Sequence, residues 1–254
     1  MVLVQSVSAG HGAAWFRQGW QAFRNAPGLL IGVLLLWLIL AIVVEFVPLI
    51  GPLAFVVISP ALFGGYVVMC RHALEDGQPA LEQFFAGLTQ PGQRGEMIIL
   101  GLLLLVAYVV VFVVSGLFFM LTAVLVLGSV PWQTLGELQS ATPQDAVLTL
   151  GMLVVFLLTT LLGVLLFTLL AMAFTYASPL VLEGRAGATA ALRLSLDACL
   201  RNILPLGVFA VIYIVLFIIA LIPLGLGLLL FLPVSLAAIA ASYGDLFAEA
   251  ESIA

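Results

Sequence analysis

Five long stretches of the chain, residues 25–44, 46–70, 97–136, 146–182 and 202–244, contain no Asp, Glu, Lys or Arg. Each matches or exceeds the roughly 20 apolar helical residues needed to cross a hydrocarbon core about 30 Å thick. Composition agrees: 65% of the 254 residues are hydrophobic, 7% are charged, and the mean hydropathy is +1.34. A soluble domain carries about 45–50% apolar and about 25% charged residues, so a water-soluble enzyme is excluded, and so is a disordered chain. A net charge of −5 without a basic cluster excludes a nucleic-acid partner. The expected fold is all-α, a polytopic transmembrane bundle.

Two stretches must be cut. Val47-Pro48-Leu49-Ile50-Gly51-Pro52 and Ile222-Pro223-Leu224-Gly225 read as turns, because proline removes a donor and clashes with the preceding helical turn. Six spans result, at about 28–47, 53–70, 97–128, 146–178, 203–222 and 225–243. All seven basic residues are arginine. Arg17 and Arg24 precede span one, Arg71 and Arg94 separate spans two and three, and Arg185, Arg193 and Arg201 separate spans four and five. The other connections carry none. This positive-inside pattern predicts both termini in the cytoplasm. The absence of Lys fits the codon bias of a GC-rich bacterial genome, and no cleavable signal peptide is evident. Cys70 and Cys199 both fall on the arginine side and are expected as free thiols.

Each pair of spans has a lead-in. In Gly12 to Asn25, Trp15, Phe16, Gly19, Trp20 and Phe23 share one arc and Arg17, Gln18, Gln21, Arg24 and Asn25 the other. Such a helix either lies in the membrane interface or packs on its own bundle. Pro79 to Leu88 repeats the theme with Leu81, Phe84, Phe85 and Leu88 at helical spacing. Before span five, Leu192, Leu196, Cys199 and Leu200 form an apolar stripe opposite Arg193, Asp197 and Arg201. The chain thus reads as one transmembrane domain of three modules, 10–72, 79–184 and 187–247. Modules one and three match directly. Arg24-Asn25-Ala26-Pro27 answers Arg201-Asn202-Ile203-Leu204-Pro205, Pro48-Leu49-Ile50-Gly51 answers Pro223-Leu224-Gly225, and Pro60 answers Pro233. Two spans per module restore the orientation, so the repeat is of the parallel kind.

These segments carry a resemblance. A Trp/Phe-rich segment with an Arg-Asn-x-Pro exit, then a Pro-x-x-Gly-Pro hairpin, then Ser59-Pro60 leading to Gly64-Gly65, resembles the uncharacterised bacterial six-span inner-membrane proteins. More remotely it is similar to the membrane domain fused to some glycerophosphodiester phosphodiesterases. The resemblance implies fold and location and brings no catalytic residue.

The middle pair is longer. Met97 to Val130 corresponds to roughly 50 Å of helix, so part of it is expected beyond the external face, with Trp132 as an interfacial anchor. Thr142-Pro143-Gln144-Asp145 is a helix start, with a capping Thr and Pro in the first turn. Small-residue pairs Gly28/Gly32, Ala61/Gly65 and Ala237/Ala241 permit close helix approach.

Motifs for catalysis or for metal or cofactor binding are absent from the sequence, and the expectation is a non-enzymatic protein. Glu45 is the sole acid within a predicted span, read either as a solvated interfacial residue or as a pocket or ion site. Pro60 and Pro233 release the carbonyls of Val56 and Leu229, which need partners in hydrocarbon. Ser59, Gly64, Gly65 and Ser235 lie beside them, so a ligand site is expected between the first and third hairpins. The interfacial set is Trp15, Phe16, Arg17, Trp20, Phe23, Arg24 and Trp132. Three readings follow: binding of membrane lipid or another apolar ligand, an accessory subunit with a protein partner or in a homo-oligomer, and an ion-coupled transporter using Glu45.

Overall fold

The computed structural model describes residues 3–75, 77–127 and 143–247. Among them every regular element is helical: α1 (His11–Asn25), α2 (Pro27–Glu45), α3 (Ile50–Leu74), α4 (Leu81–Phe84), α5 (Ala86–Thr89), α6 (Pro91–Leu127), α7 (Pro143–Thr175), α8 (Ala177–Leu182), α9 (Ala188–Arg201), α10 (Ile203–Leu221) and α11 (Leu228–Leu246). Six stretches are long and apolar enough to cross a membrane: Pro27–Glu45, Ile50–Leu74, Pro91–Val126, Thr149–Leu182, Ile203–Leu221 and Leu228–Leu246. The protein is multi-pass by this measure, at the six positions the charge-free stretches mark. Trp132 and the connection around Glu137 lie outside the described residues.

Local chemistry sets the boundaries. Ala26 sits at φ −144°, ψ 56°, because the ring of Pro27 disfavours helical geometry in the residue before it, and this separates α1 from α2. α7 starts at Pro143, as the sequence predicts. α6 starts at Pro91, six residues ahead of Met97, so part of its excess length lies at the arginine-bearing end. The segment 79–88 is broken at Phe85 (φ −93°, ψ 0°) into two short helices rather than one.

The described residues fall into two compact units, one within Met1–Leu105 and Met172–Ala254 and the other within Val106–Ala171. In the second, two antiparallel helical segments meet where Gly151 faces Val126 and Gly163 faces Ser115. Their flanks are open, with Phe112 81% and Phe156 65% exposed.

In the first unit, α1 crosses α10 and α11. A Cβ at Gly19 would stand 2.6 Å from the Val234 carbonyl oxygen and 2.7 Å from Ala238 N, so only glycine permits this crossing. Gly12 lies against the Pro205 carbonyl in the same way. The short helices α4 and α5 lie on α3, where Gly65 meets the backbone of Phe84 and Gly87 meets Ala61. α9 packs on α8. Its buried face is Ala188, Ala191, Ser195, Ala198 and Cys199, while Leu200 is exposed. The expected leucine stripe is therefore corrected: small side chains let α9 approach α8, and only Cys199 of the stripe is fully covered. Gly28 and Gly32 face open space and make no close approach, unlike Ala61 and Gly65.

Candidate functional site

Between the first and third hairpins, α2, α3, α10 and α11 leave a cavity of about 320 Å³. Leu34, Trp37, Leu38 and Ala41 line it from α2, Phe55 from α3, Tyr213 from α10, and Leu232, Ser235, Leu236 and Ile239 from α11. Among the described residues no charged side chain reaches its wall. Trp37 is held from behind by Phe63, Tyr66 and Phe84, with ring centroids 6.0–6.5 Å apart. Tyr213 is fixed by edge-to-face contact with Phe231 at 4.9 Å. The Ser235 hydroxyl donates to the Phe231 carbonyl at 2.7 Å, which turns its proton back onto its own helix. The Tyr213 hydroxyl has no hydrogen-bond partner among the described residues. Such walls favour an apolar ligand, and the volume is at the lower end of the roughly 300–1,000 Å³ typical of small-molecule sites.

Of the seven residues proposed from sequence as a ligand site, Ser235 lines the cavity, and Pro233 is buried in the same stretch of α11. Pro60 is buried one turn beyond the carbonyl it releases, and the Ser59 hydroxyl meets that carbonyl, Val56 O, at 2.9 Å. A Cβ at Gly64 would stand 3.1 Å from the Ser178 carbonyl and one at Gly65 would run into the backbone of Phe84, so both are filled helix contacts instead of open wall. Glu45 ends α2, is exposed, and has no ion pair or hydrogen bond among the described residues. Trp37, Phe55 and Tyr213 were missed; as aromatics within spans they carry no polar signal that separates a cavity wall from a lipid-facing ring.

The interfacial set divides. Trp15 (0% exposed), Phe16 and Phe23 are covered by the protein itself. Trp15 Nε1–H donates to Asp245 at 2.7 Å, and Phe16 stacks on Phe209 at 4.6 Å. For these three the packed-on-the-bundle alternative holds, because α10 and α11 occupy the face that lipid would otherwise cover. Arg17, Trp20 and Arg24 remain exposed.

At the arginine-bearing end, polar groups from distant segments interlock. Arg71 pairs with Glu183 at 2.5 Å and with Glu75 at 2.9 Å. The Tyr243 hydroxyl donates to Glu183 at 2.7 Å, and Arg185 donates to the Phe247 carbonyl at 2.6 Å. Both guanidiniums lie over the Tyr243 ring. Asn202, fully buried, accepts from Val7 N and donates to the Gln5 and Ala198 carbonyls, tying the N-terminal segment down. Glu96 accepts from Ala188 N at 2.7 Å and so caps α9 from another helix. Ser195 accepts from Tyr176 N at 3.1 Å and donates to Met172 O at 2.6 Å. Its hydroxyl thus bridges a missing i→i−4 bond where α7 gives way to α8. Burial pushes the Cys199 thiol up to about 12, which keeps it protonated and unreactive at neutral pH. Cys70 is buried as well. Among the described residues no cluster of His, Cys, Asp and Glu is placed to hold a metal ion. These contacts join helix ends and leave the apolar cavity as the candidate site.

Comparison of the chain with protein-family models, curated proteins and solved structures gives no match.

Proposed function

We propose that this chain is a multi-pass protein of the bacterial inner membrane, both termini cytoplasmic, that binds a lipid acyl chain or another apolar ligand without catalysing a reaction on it. The observation that carries the reading is the uncharged cavity of about 320 Å³ between the first and third hairpins. The location rests on the arginine distribution and on the resemblance to bacterial six-span proteins.

The parallel repeat belongs to the same proposal. Gly19 meets Val234, the residue after Pro233, and Gly87 meets Ala61, the residue after Pro60. Asn25 donates to the Ala73 carbonyl, while Gln5 N donates to the Leu246 carbonyl in the segment that Asn202 holds. Ala73 and Leu246 each lie thirteen residues beyond their proline. Shared registers of this kind support a common ancestor for modules one and three.

A second reading, a subunit covered by a protein partner or by another copy, is favoured by the middle hairpin. Residues 97–126 of α6 form about 45 Å of charge-free helix, whereas even a 40° tilt accommodates only about 39 Å within hydrocarbon. The transporter reading finds no support in the position of Glu45.

Native mass spectrometry of the full chain released from nanodiscs tests the main proposal. Wild type retains a stoichiometric lipid, and Ala41→Trp, which fills the cavity, loses it while remaining folded. Equal retention by both removes the cavity as a lipid site.

A further inference from the structure

A second cavity, of about 420 Å³, lies on the exposed face of α1 and is lined by Arg17, Trp20, Gln21, Arg24 and Asn25. Arg17, Trp20 or Gln21, and Arg24 follow i, i+3/i+4, i+7 spacing, so both guanidiniums lie on one helix face with the indole and amide between them, about 10 Å apart along the axis. Neither arginine forms an ion pair among the described residues, in contrast to Arg71, Arg185 and Arg201. Among the described residues no acidic side chain lines the notch.

The indole N–H of Trp20 likewise has no partner among the described residues, while that of Trp15 is bound to Asp245. Trp20 is 44% exposed and stacks on Phe23, whose ring is buried, so its position is set by the fold. Asn25, which lines the notch two residues before α2 begins at Pro27, is anchored by donating to Ala73 O. A span that starts there puts the notch at the depth of lipid headgroups.

We infer that this notch binds the phosphate of an anionic phospholipid, with Arg17 and Arg24 as its two cationic arms and Trp20 beside it. Guanidinium matches phosphate oxygens bidentately and is weakly hydrated, and an indole is at home at the membrane interface. The inference rests on the lipid-binding reading for the source of its ligand, but uses a different set of residues from the apolar cavity.

The test is competition in the full chain. Protein is released from nanodiscs of equal phosphatidylglycerol and phosphatidylcholine, and the retained lipids are counted by native mass spectrometry. Wild type retains phosphatidylglycerol preferentially. Arg17→Gln lowers the preference about fivefold and the double variant with Arg24→Gln about 25-fold, the ratio that about 1 kcal/mol per arginine at a membrane surface corresponds to. Arg94→Gln with Arg193→Gln, two exposed arginines without ion pairs among the described residues, leaves the preference unchanged. An equal loss in that control pair means general surface attraction and overturns the site. Displacement of the lipid by millimolar inorganic phosphate makes it a free-anion site and overturns the lipid source. Ala41→Trp separates the two proposals: if it alone is without effect the cavity reading fails, and if the notch variants alone are without effect this inference fails.

Discussion

Hairpin one (α2–α3) and hairpin three (α10–α11) each carry a buried proline in the second helix, with a glycine-bearing helix laid across the residue that follows it. In α3 the carbonyl released by Pro60 is taken by Ser59, and Gly101 of α6 presses against the next carbonyl, Val57 O. α3 is also in contact with α4, α5 and α8, although Val56 to Ser59 are only half-buried. In α11 the serine sits after the proline, at 235, and bonds Phe231 O instead of the released Leu229 O. α11 contributes Leu232, Ser235, Leu236 and Ile239 to the apolar cavity, and α3 contributes Phe55. Proline alone does not make a site. Of the two proline-bearing helices, the cavity is lined mainly by the one whose serine does not take the released carbonyl.

The glycine contacts give the largest expected effect. Gly19→Leu and Gly65→Leu drive a side chain into backbone on a facing helix, where no rotamer relieves the overlap, and each is expected to cost about 3 kcal/mol or more. Gly28→Leu, in open space, is expected to stay within about 1 kcal/mol of wild type. Unfolding in mixed detergent micelles measures all three. If Gly65→Leu unfolds the protein and Gly19→Leu does not, the lead-in helices are not equivalent and the repeat loses its main support.

The serines come next. Ser59→Ala leaves the Val56 carbonyl without its partner in an apolar setting, at an expected cost of about 1–3 kcal/mol. Ser235→Ala is expected to change stability by less than about 0.5 kcal/mol, because Phe231 O keeps the amide of residue 235 as its regular helical donor. The same unfolding assay reads the pair. Equal losses would mean that Ser235 supports its own kink, and the contrast between the hairpins would collapse.

What the sequence made legible follows from where the information lies. Charge-free length is local, so the six spans were readable, and so was the need of Val56 for Ser59, three residues away. The turn prolines and the start at Pro143 are local for the same reason. The junction of Arg71, Glu183 and Tyr243 was not readable, because its members are separated by 112 and 60 residues and each alone looks like a solvated end-of-helix residue. The face of α9 was misread because the leucines outweigh the alanines on any hydrophobicity scale, while packing against α8 selects for small size. Trp15 had two readings, and only the positions of Phe209 and Asp245 decide between them.

The smallest expected effect is at the two turns. Leu49 and Leu224, each following a proline, both have positive φ, 66° and 53°, a region that costs a branched residue about 1–2 kcal/mol. The turns are otherwise unlike. Leu49, at ψ −54°, is the centre of a three-residue turn in which Ile50 N donates to Pro48 O at 2.8 Å, a rare and strained form. Leu224 shares its turn with Gly225, at φ 80°, and Leu226 N donates to Pro223 O at 3.0 Å, as in a type I′ turn, where positive φ at both centres is the norm. Both side chains are exposed, at 82% and 97%, so shortening them sacrifices no protein contact. Glycine relieves the strain but loses about 0.4–1 kcal/mol to the greater freedom of the unfolded chain. Leu49→Gly is therefore expected to stabilise by about 1 kcal/mol and Leu224→Gly by about 0.5 kcal/mol, read as a shift in the unfolding midpoint. Leu→Ala at either position keeps the Cβ and should shift neither. A gain from alanine equal to that from glycine would locate the effect in the exposed side chain, and the turns would cease to distinguish the two hairpins.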